Sequence, residues 1–185
     1  MQVRPVRMKS DRTIKAIAYL LSIDRAATAS ELAQVMGLPT RRVYPQLKYA
    51  INAGVVRVTK AGHDNLYSIP KSLRQYVMKL TTRFRRAEDV VRLALEARGI
   101  KVEAQDLRLL VEVIRRLASR SRGWVGGWAE DFIDELAAAL KSGRDDVVSG
   151  LRALAMKGVL LVYNRVKGIA KVKLADGWAH LVHVV

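Results

Sequence analysis

Residues 28–58 read TASELAQVMGLPTRRVYPQLKYAINAGVVRV, and the punctuation within them sets the local structure. Thr28 and Glu31 have capping-box spacing, so a helix opens here. The threonine hydroxyl accepts from the backbone N–H three residues on, and the carboxylate reaches back. The spacing predicts that this helix runs to Met36 and stops at Gly37, which takes the left-handed conformation without steric cost. Thr40 is the expected cap of the next helix, which turns Val43, Leu47, Ala50 and Ile51 to one face and closes at Gly54. Pro45 lies several residues past Thr40 and would remove an internal hydrogen bond, so the helix either begins nearer Val43 or bends there. Upstream, Asp11 to Ile23 carries Ile14, Ile17, Ala18, Leu20 and Leu21 at the spacing of one helix face, with Ser10 or Asp11 as cap. Downstream, Val55 to Thr59 and Leu66 to Ile69 are β-rich and separated by the polar stretch 60–65, the pattern of a hairpin.

Three helices and a hairpin between residues 10 and 70 make a winged helix-turn-helix. Ala33, Gly37 and Val43 match the small residue, turn glycine and buried aliphatic that such proteins place at this spacing, because the second helix must approach the third across a tight turn. The stretch Val43 to Val56 resembles the recognition-helix segment of PadR-type transcriptional regulators, where a Tyr-Pro pair early in the helix is common; here it is Tyr44-Pro45. The likeness is confined to this helix-turn-helix. It implies duplex DNA as partner, transcription regulation as role, and dimerisation through a helix that follows the winged domain.

Sliding the sequence by 104 positions aligns Glu31–Val58 with Glu135–Val162 without a gap. Eight of the 28 pairs are identical, and nearly all of those are apolar or glycine. Core positions restrict residue type while surface positions do not, so the shared feature is a core template. The second copy is expected to place helices at Glu103–Ser119, Trp128–Leu140 and Arg144–Gly158, with a hairpin in Val159–Asn164 and Ile169–Leu174 turning at Lys167-Gly168. A last strand is expected over His180–Val185. The insertion Gly123–Trp128 reads as a short strand pairing with the wing, with an aromatic platform for bases as the competing reading. The fold class is therefore mainly α with small β-hairpin wings: winged domains at 10–70 and 103–185 joined by a helical connector at 71–102. In the connector, Leu73, Val77, Leu80, Phe84, Ala87, Val91 and Ala94 form a seam. That seam suits either a self-associating coiled coil or packing against Glu103–Ser119, and a break at Thr81-Thr82 would divide it into two helices.

The chain of 185 residues carries 33 basic and 17 acidic side chains, a formal charge of +16, which points to a polyanionic partner. Cut at Pro70 and Trp128, the three segments carry +7, +8 and +1. The polyanion should thus meet the first two. Cysteine is absent, which excludes disulfides, thiolate metal sites and cysteine nucleophiles. The basic N-terminus lacks the apolar core of a signal peptide and no uncharged apolar run spans a bilayer, so a cytoplasmic protein without a membrane partner is expected.

The first turn of helix three decides what each copy does, since that end enters the major groove while the wing lies on the backbone. In copy one Thr40, Arg41, Arg42, Tyr44 and Gln46 offer guanidinium, hydroxyl and amide groups suited to base edges and phosphates. Lys48 and Arg57 fall near the backbone, and Lys60 and His63 in the wing. Arg74, Arg83, Arg85 and Arg86, with other arginines of the middle segment such as Arg92, Arg115 and Arg116, are weaker phosphate contacts. In copy two the aligned turn is Arg144-Asp145-Asp146, with Glu130, Asp131, Asp134 and Glu135 nearby, which sets copy two toward protein contact or homodimerisation. No phosphate-binding glycine loop or catalytic constellation is legible, and no cofactor or metal is expected. His180 and His183, three apart in a strand, would face opposite ways. The expected function is a duplex DNA-binding transcriptional regulator. The alternative is a tandem winged-helix scaffold or adaptor subunit of a transcription, replication or chromosome-organising assembly.

Overall fold

The computed structural model describes residues 10–23, 25–77, 86–119, 123–126, 132–165 and 168–184. They form two compact units, one ending at Lys101 and one beginning at Val102. Each unit is a winged helix with a mainly helical core and a small antiparallel sheet.

In the first unit α1 (Asp11–Ser22), α2 (Ala29–Met36) and α3 (Val43–Asn52) precede a hairpin of β2 (Arg57–Ala61) and β3 (Asp64–Ser68). A short β1 (Ala27–Thr28) pairs with β3, so the sheet order is β1-β3-β2. The capping box of α2 is complete: the Glu31 N–H donates to Thr28 Oγ1 at 3.2 Å and the Thr28 N–H donates to Glu31 Oε2 at 2.7 Å. Thr40 does not cap helix three as its sequence position suggested. Thr40–Arg42 instead form a 3₁₀ turn, and α3 starts at Val43. This resolves the place of Pro45, which falls in the first turn, where a backbone N–H has no intrahelical acceptor to lose. The hairpin is tighter than the stretch 60–65: Ala61 pairs with Asp64 across Gly62-His63, with Gly62 at φ +63°.

The segment 71–102 is not one connecting helix. A helical turn begins at residues 74–77, and α4 (Ala87–Ala97) starts afresh after an extended Arg86, with Glu88 and Asp89 in the first turn, where the helix dipole favours them. The seam residues Leu80 and Phe84, and the Thr81-Thr82 break, lie outside the described residues. Helix α4 packs within the first unit against α1, neither of the two packings weighed for it. That explains why α1 is buried on both sides, with Thr13, Ile14, Ala16, Ile17, Ala18, Leu20 and Leu21 all inside. Lys15 Nζ bridges to Glu96 Oε2 at 2.6 Å across this contact. Burial works against the Glu96 carboxylate, but hydrogen bonds from Lys15 and Arg92 outweigh it and hold its pKa below the ordinary range.

The second unit repeats the plan. Helix α5 (Ala104–Ala118), β4 (Val125–Gly126), α6 (Phe132–Leu140), α7 (Arg144–Met156), β5 (Leu160–Arg165) and β6 (Gly168–Leu174) give a sheet of order β4-β6-β5. The repeat extends to single hydrogen bonds. Leu38 N–H donates to Ala33 O at 2.9 Å and Ser142 N–H to Ala137 O at 3.0 Å; Val55 N–H donates to Ala50 O at 2.9 Å and Val159 N–H to Leu154 O at 3.0 Å. Each pair lies 104 residues apart. Residues 179–184 form a 3₁₀ turn, Ala179–Val184, in place of the strand expected over His180–Val185. Trp178, Leu181 and Val184 recur every third residue, the 3₁₀ period, and all three are buried. Trp178 Nε1–H ties this turn to Gly158 O at 3.1 Å. His180 and His183 thereby fall on one side rather than on opposite faces.

Candidate nucleic-acid interface

Arg41 and Arg42 lie exposed on the 3₁₀ turn that leads into α3, beside exposed Thr40. Tyr44 (44% exposed) and Lys48 follow one turn apart on the same helix face. Tyr49, 72% exposed, extends this surface. Sequence reading passed over it because an apolar-periodic helix gives no sign of which tyrosines stay outside.

Gln46 does not belong to this surface. It turns inward, and its Nε2 donates to Ser10 Oγ at 3.0 Å and Thr13 Oγ1 at 2.9 Å. Those bonds fasten α3 to the start of α1 and withdraw the amide from any base edge.

In the wing, Arg57, Lys60 and His63 are all exposed. Arg57 and Lys60 lie three apart on β2 and so belong to opposite faces of the hairpin. Arg57 shares its face with Thr59, and Lys60 shares the other with half-buried Val58. His63 stands at the tip in the two-residue turn.

The basic residues divide sharply by their partners. Arg92 pairs with Glu96 at 2.7 Å, Arg115 with Glu112 at 3.2 Å, and Arg116 with Glu135 at 2.7 Å. These guanidinium groups already have carboxylate partners within the fold, which makes them weaker candidates for phosphate than cations without one. Arg74 is half-buried and its Nη2 donates to Ile23 O at 3.4 Å, an internal tie rather than a surface contact. Arg86 is exposed at the start of α4, while Arg83 and Arg85 lie outside the described residues. By contrast, no carboxylate among the described residues pairs with Arg41, Arg42, Lys48, Arg57 or Lys60.

At the aligned position of the second unit the chemistry is inverted. Arg144 is engaged by Asp134, and Asp146 Oδ2 accepts from the Gly143 N–H at 3.2 Å, capping α7. Asp145 is exposed beside them. Asp134 and Glu135 are both ion-paired, so their field is weaker than a count of acids suggests. Glu130 and Asp131 lie outside the described residues.

Among the described residues no group of three potential metal ligands occurs, and no helix is long and apolar enough to cross a membrane. No family model and no curated protein matches the chain. Among solved structures it is similar to the crystal structure of ScpB from Mycobacterium tuberculosis, at 17% identity over 91% of this chain and 94% of that one, with a TM-score of 0.27.

Proposed function

We propose that the chain binds double-stranded DNA through its first unit, with Arg41, Arg42, Tyr44 and Lys48 at the groove and Arg57, Lys60 and His63 on the wing at the backbone. One observation carries this reading. The cations on and beside α3 and on the wing have no internal carboxylate among the described residues, whereas Arg92, Arg115 and Arg116 are ion-paired within the fold. A formal charge of +16 supplies the long-range attraction. The transcription-regulator form of this reading draws further on the PadR-like Tyr44-Pro45 pair.

A second reading is favoured by Asp145 and Asp146, which occupy in α7 the positions that Arg41 and Arg42 occupy in unit one. Two carboxylates there oppose phosphate, so the tip of α7 suits a basic protein surface. The chain is then an adaptor in a chromosome-organising, transcription or replication assembly, or a homodimer formed through unit two.

Fluorescence anisotropy of mixed-sequence duplex DNA across a salt series tests the first reading. The Arg41→Ala/Arg42→Ala chain should bind at least tenfold more weakly, with the log–log salt slope smaller by about 2. Asp145→Ala/Asp146→Ala should leave affinity unchanged or raised. Equal binding by the native and arginine-substituted chains would overturn the assignment, and co-purification with a larger complex would then decide for the adaptor.

A further inference from the structure

The outer face of the second unit's sheet carries side chains that the winged-helix fold does not ask for. Register places Leu161 opposite Lys173 and Tyr163 opposite Lys171 on β5 and β6, with Trp124 entering β4 beside them. The Trp124 and Tyr163 rings meet edge to face at 4.5 Å, and Tyr163 remains 45% exposed. Lys171 Nζ lies 5.1 Å from the Trp124 ring centre and 5.5 Å from that of Tyr163; Lys173 Nζ lies 4.9 Å from Trp124. Leu161, 39% exposed, borders the group. The same face of the first unit carries Ala26, Arg57, Thr59, Leu66 and Ser68, with no aromatic ring. Since the two sheets share their strand order, the aromatic–lysine set is an addition of unit two and not a requirement of its core.

We infer that this face binds single-stranded nucleic acid, with bases stacked on Trp124 and Tyr163 and phosphates held by Lys171 and Lys173. Both lysines lack a carboxylate partner among the described residues. They are two apart on one strand, about 6.8 Å, a step comparable to the spacing of phosphates along an extended chain. Their ammonium groups lie over the rings in cation–π contact. An incoming base takes the ring, and the ammonium groups swing to the phosphates flanking it. Covering this face with an apolar protein surface would strip the hydration from two unneutralised ammonium groups, and an acidic surface gains nothing from the two rings. Planar, stacking, anionic polymer satisfies both halves of the patch. A duplex buries its base faces within its own stack, so the ligand is a single strand. This surface belongs to unit two, whereas α3 and its wing belong to unit one, and the inference holds whether or not unit one reads duplex DNA.

The probes are labelled oligodeoxythymidylate and oligouridylate of about 15 nucleotides, bound to the full chain across a salt series. Trp124→Ala should weaken single-strand binding at least tenfold, Trp124→Phe should restore most of it, and Lys171→Gln/Lys173→Gln should lower the salt slope by about 1.4. The same variants should bind duplex DNA within twofold of the native chain, while Arg41→Ala/Arg42→Ala should do the reverse. Comparing the two oligonucleotides settles DNA against RNA. The inference is overturned if the native chain does not bind either oligonucleotide. It is equally overturned if Trp124→Ala and Tyr163→Ser chains, shown folded by circular dichroism, bind them unchanged, or if polyglutamate displaces them at equal charge concentration.

Discussion

The side-chain amide of Gln46 donates to the Thr13 hydroxyl at 2.9 Å, joining α3 of the first unit to the buried threonine in the first turn of α1. A second bond to Ser10 Oγ at 3.0 Å completes the tie. Thr13 is only 9% exposed, so removing the amide leaves its hydroxyl without this donor in a dry setting. Gln46→Ala should therefore lower stability by about 1–2 kcal/mol in urea titration. Sequence preference in a site-selection experiment should stay as in the native chain. A shifted preferred site with unchanged stability would put Gln46 back at the base edges.

The two helix-turn-helix turns supply a matched pair for a backbone test. Gly37 ends α2 at φ +61°, and Lys141, at the aligned position, ends α6 at φ +52°. A side chain in the left-handed region costs roughly 1–2 kcal/mol, part of which a glycine loses again through a freer unfolded chain. Lys141→Gly should stabilise the second unit by about 0.5–1 kcal/mol, and Gly37→Lys should destabilise the first by about 1 kcal/mol, read as opposite shifts in thermal melts.

Those turns also show how much of the molecule was legible. The capping box, the left-handed turn at Gly37 and the apolar periodicity are local devices, and they located α2, α3, α6 and α7 and the 104-residue repeat, whereas the left-handed Lys141 was not legible. Part of what escaped depends on contacts distant in sequence. Strand β1 is two residues long and exists because Leu66 and Tyr67 pair with it. The packing of α4 on α1 left only a faint trace, the small residue Ala16 outside the face that carries Ile14, Ile17, Ala18 and Leu21, and nothing in the sequence names the partner helix. The 3₁₀ turn at Ala179–Val184 carried its own period of three in Trp178, Leu181 and Val184, which β-propensity obscured. At the candidate interface, Arg41, Arg42, Lys48 and Lys60 could be named from spacing. That Gln46 points inward, and that Arg92, Arg115 and Arg116 are already ion-paired, is decided by neighbours 3 to 36 residues away.

Glu31 gives the first unit a defined acid sensitivity. Its carboxylate accepts from Arg25 Nη1 at 3.2 Å and from the Thr28 N–H at 2.7 Å, and these bonds, that of Arg25 foremost, lower its pKa from the ordinary 4.5 to about 2. The folded state binds this proton less readily than the unfolded state. Its stabilisation is therefore fully present above pH 4.5 and is lost as pH falls from 4.5 toward 2. Arg25 is largely exposed, so solvent screening leaves about 1 kcal/mol, the size of a capping interaction. Denaturation midpoints over that window should fall for the native chain and stay flatter for Glu31→Gln; parallel curves would assign the acid sensitivity to other carboxylates.

Gly126 and Gly123 flank Trp124 and Val125 and separate two kinds of glycine requirement. Both have positive φ, +91° and +66°. A Cβ on Gly123 meets nothing within 4 Å, whereas one on Gly126 falls 2.5 Å from the Ala170 carbonyl oxygen and 2.5 Å from Phe132 Cδ1. The first substitution incurs only the backbone term, about 1–2 kcal/mol. The second must also displace a sheet carbonyl and the buried ring that opens α6, adding roughly 1–3 kcal/mol of overpacking. Gly126→Ala should therefore cost about 3 kcal/mol or more and free the Val125 and Gly126 amides to hydrogen exchange, with Gly123→Ala much milder. Because Trp124 leads directly into β4 and lies beside Lys171 and Lys173, single-strand binding should fall with the Gly126 change and survive the Gly123 change. Equal stability of the two variants would mean that β4 is not held against Ala170 and Phe132 as closely as its geometry requires.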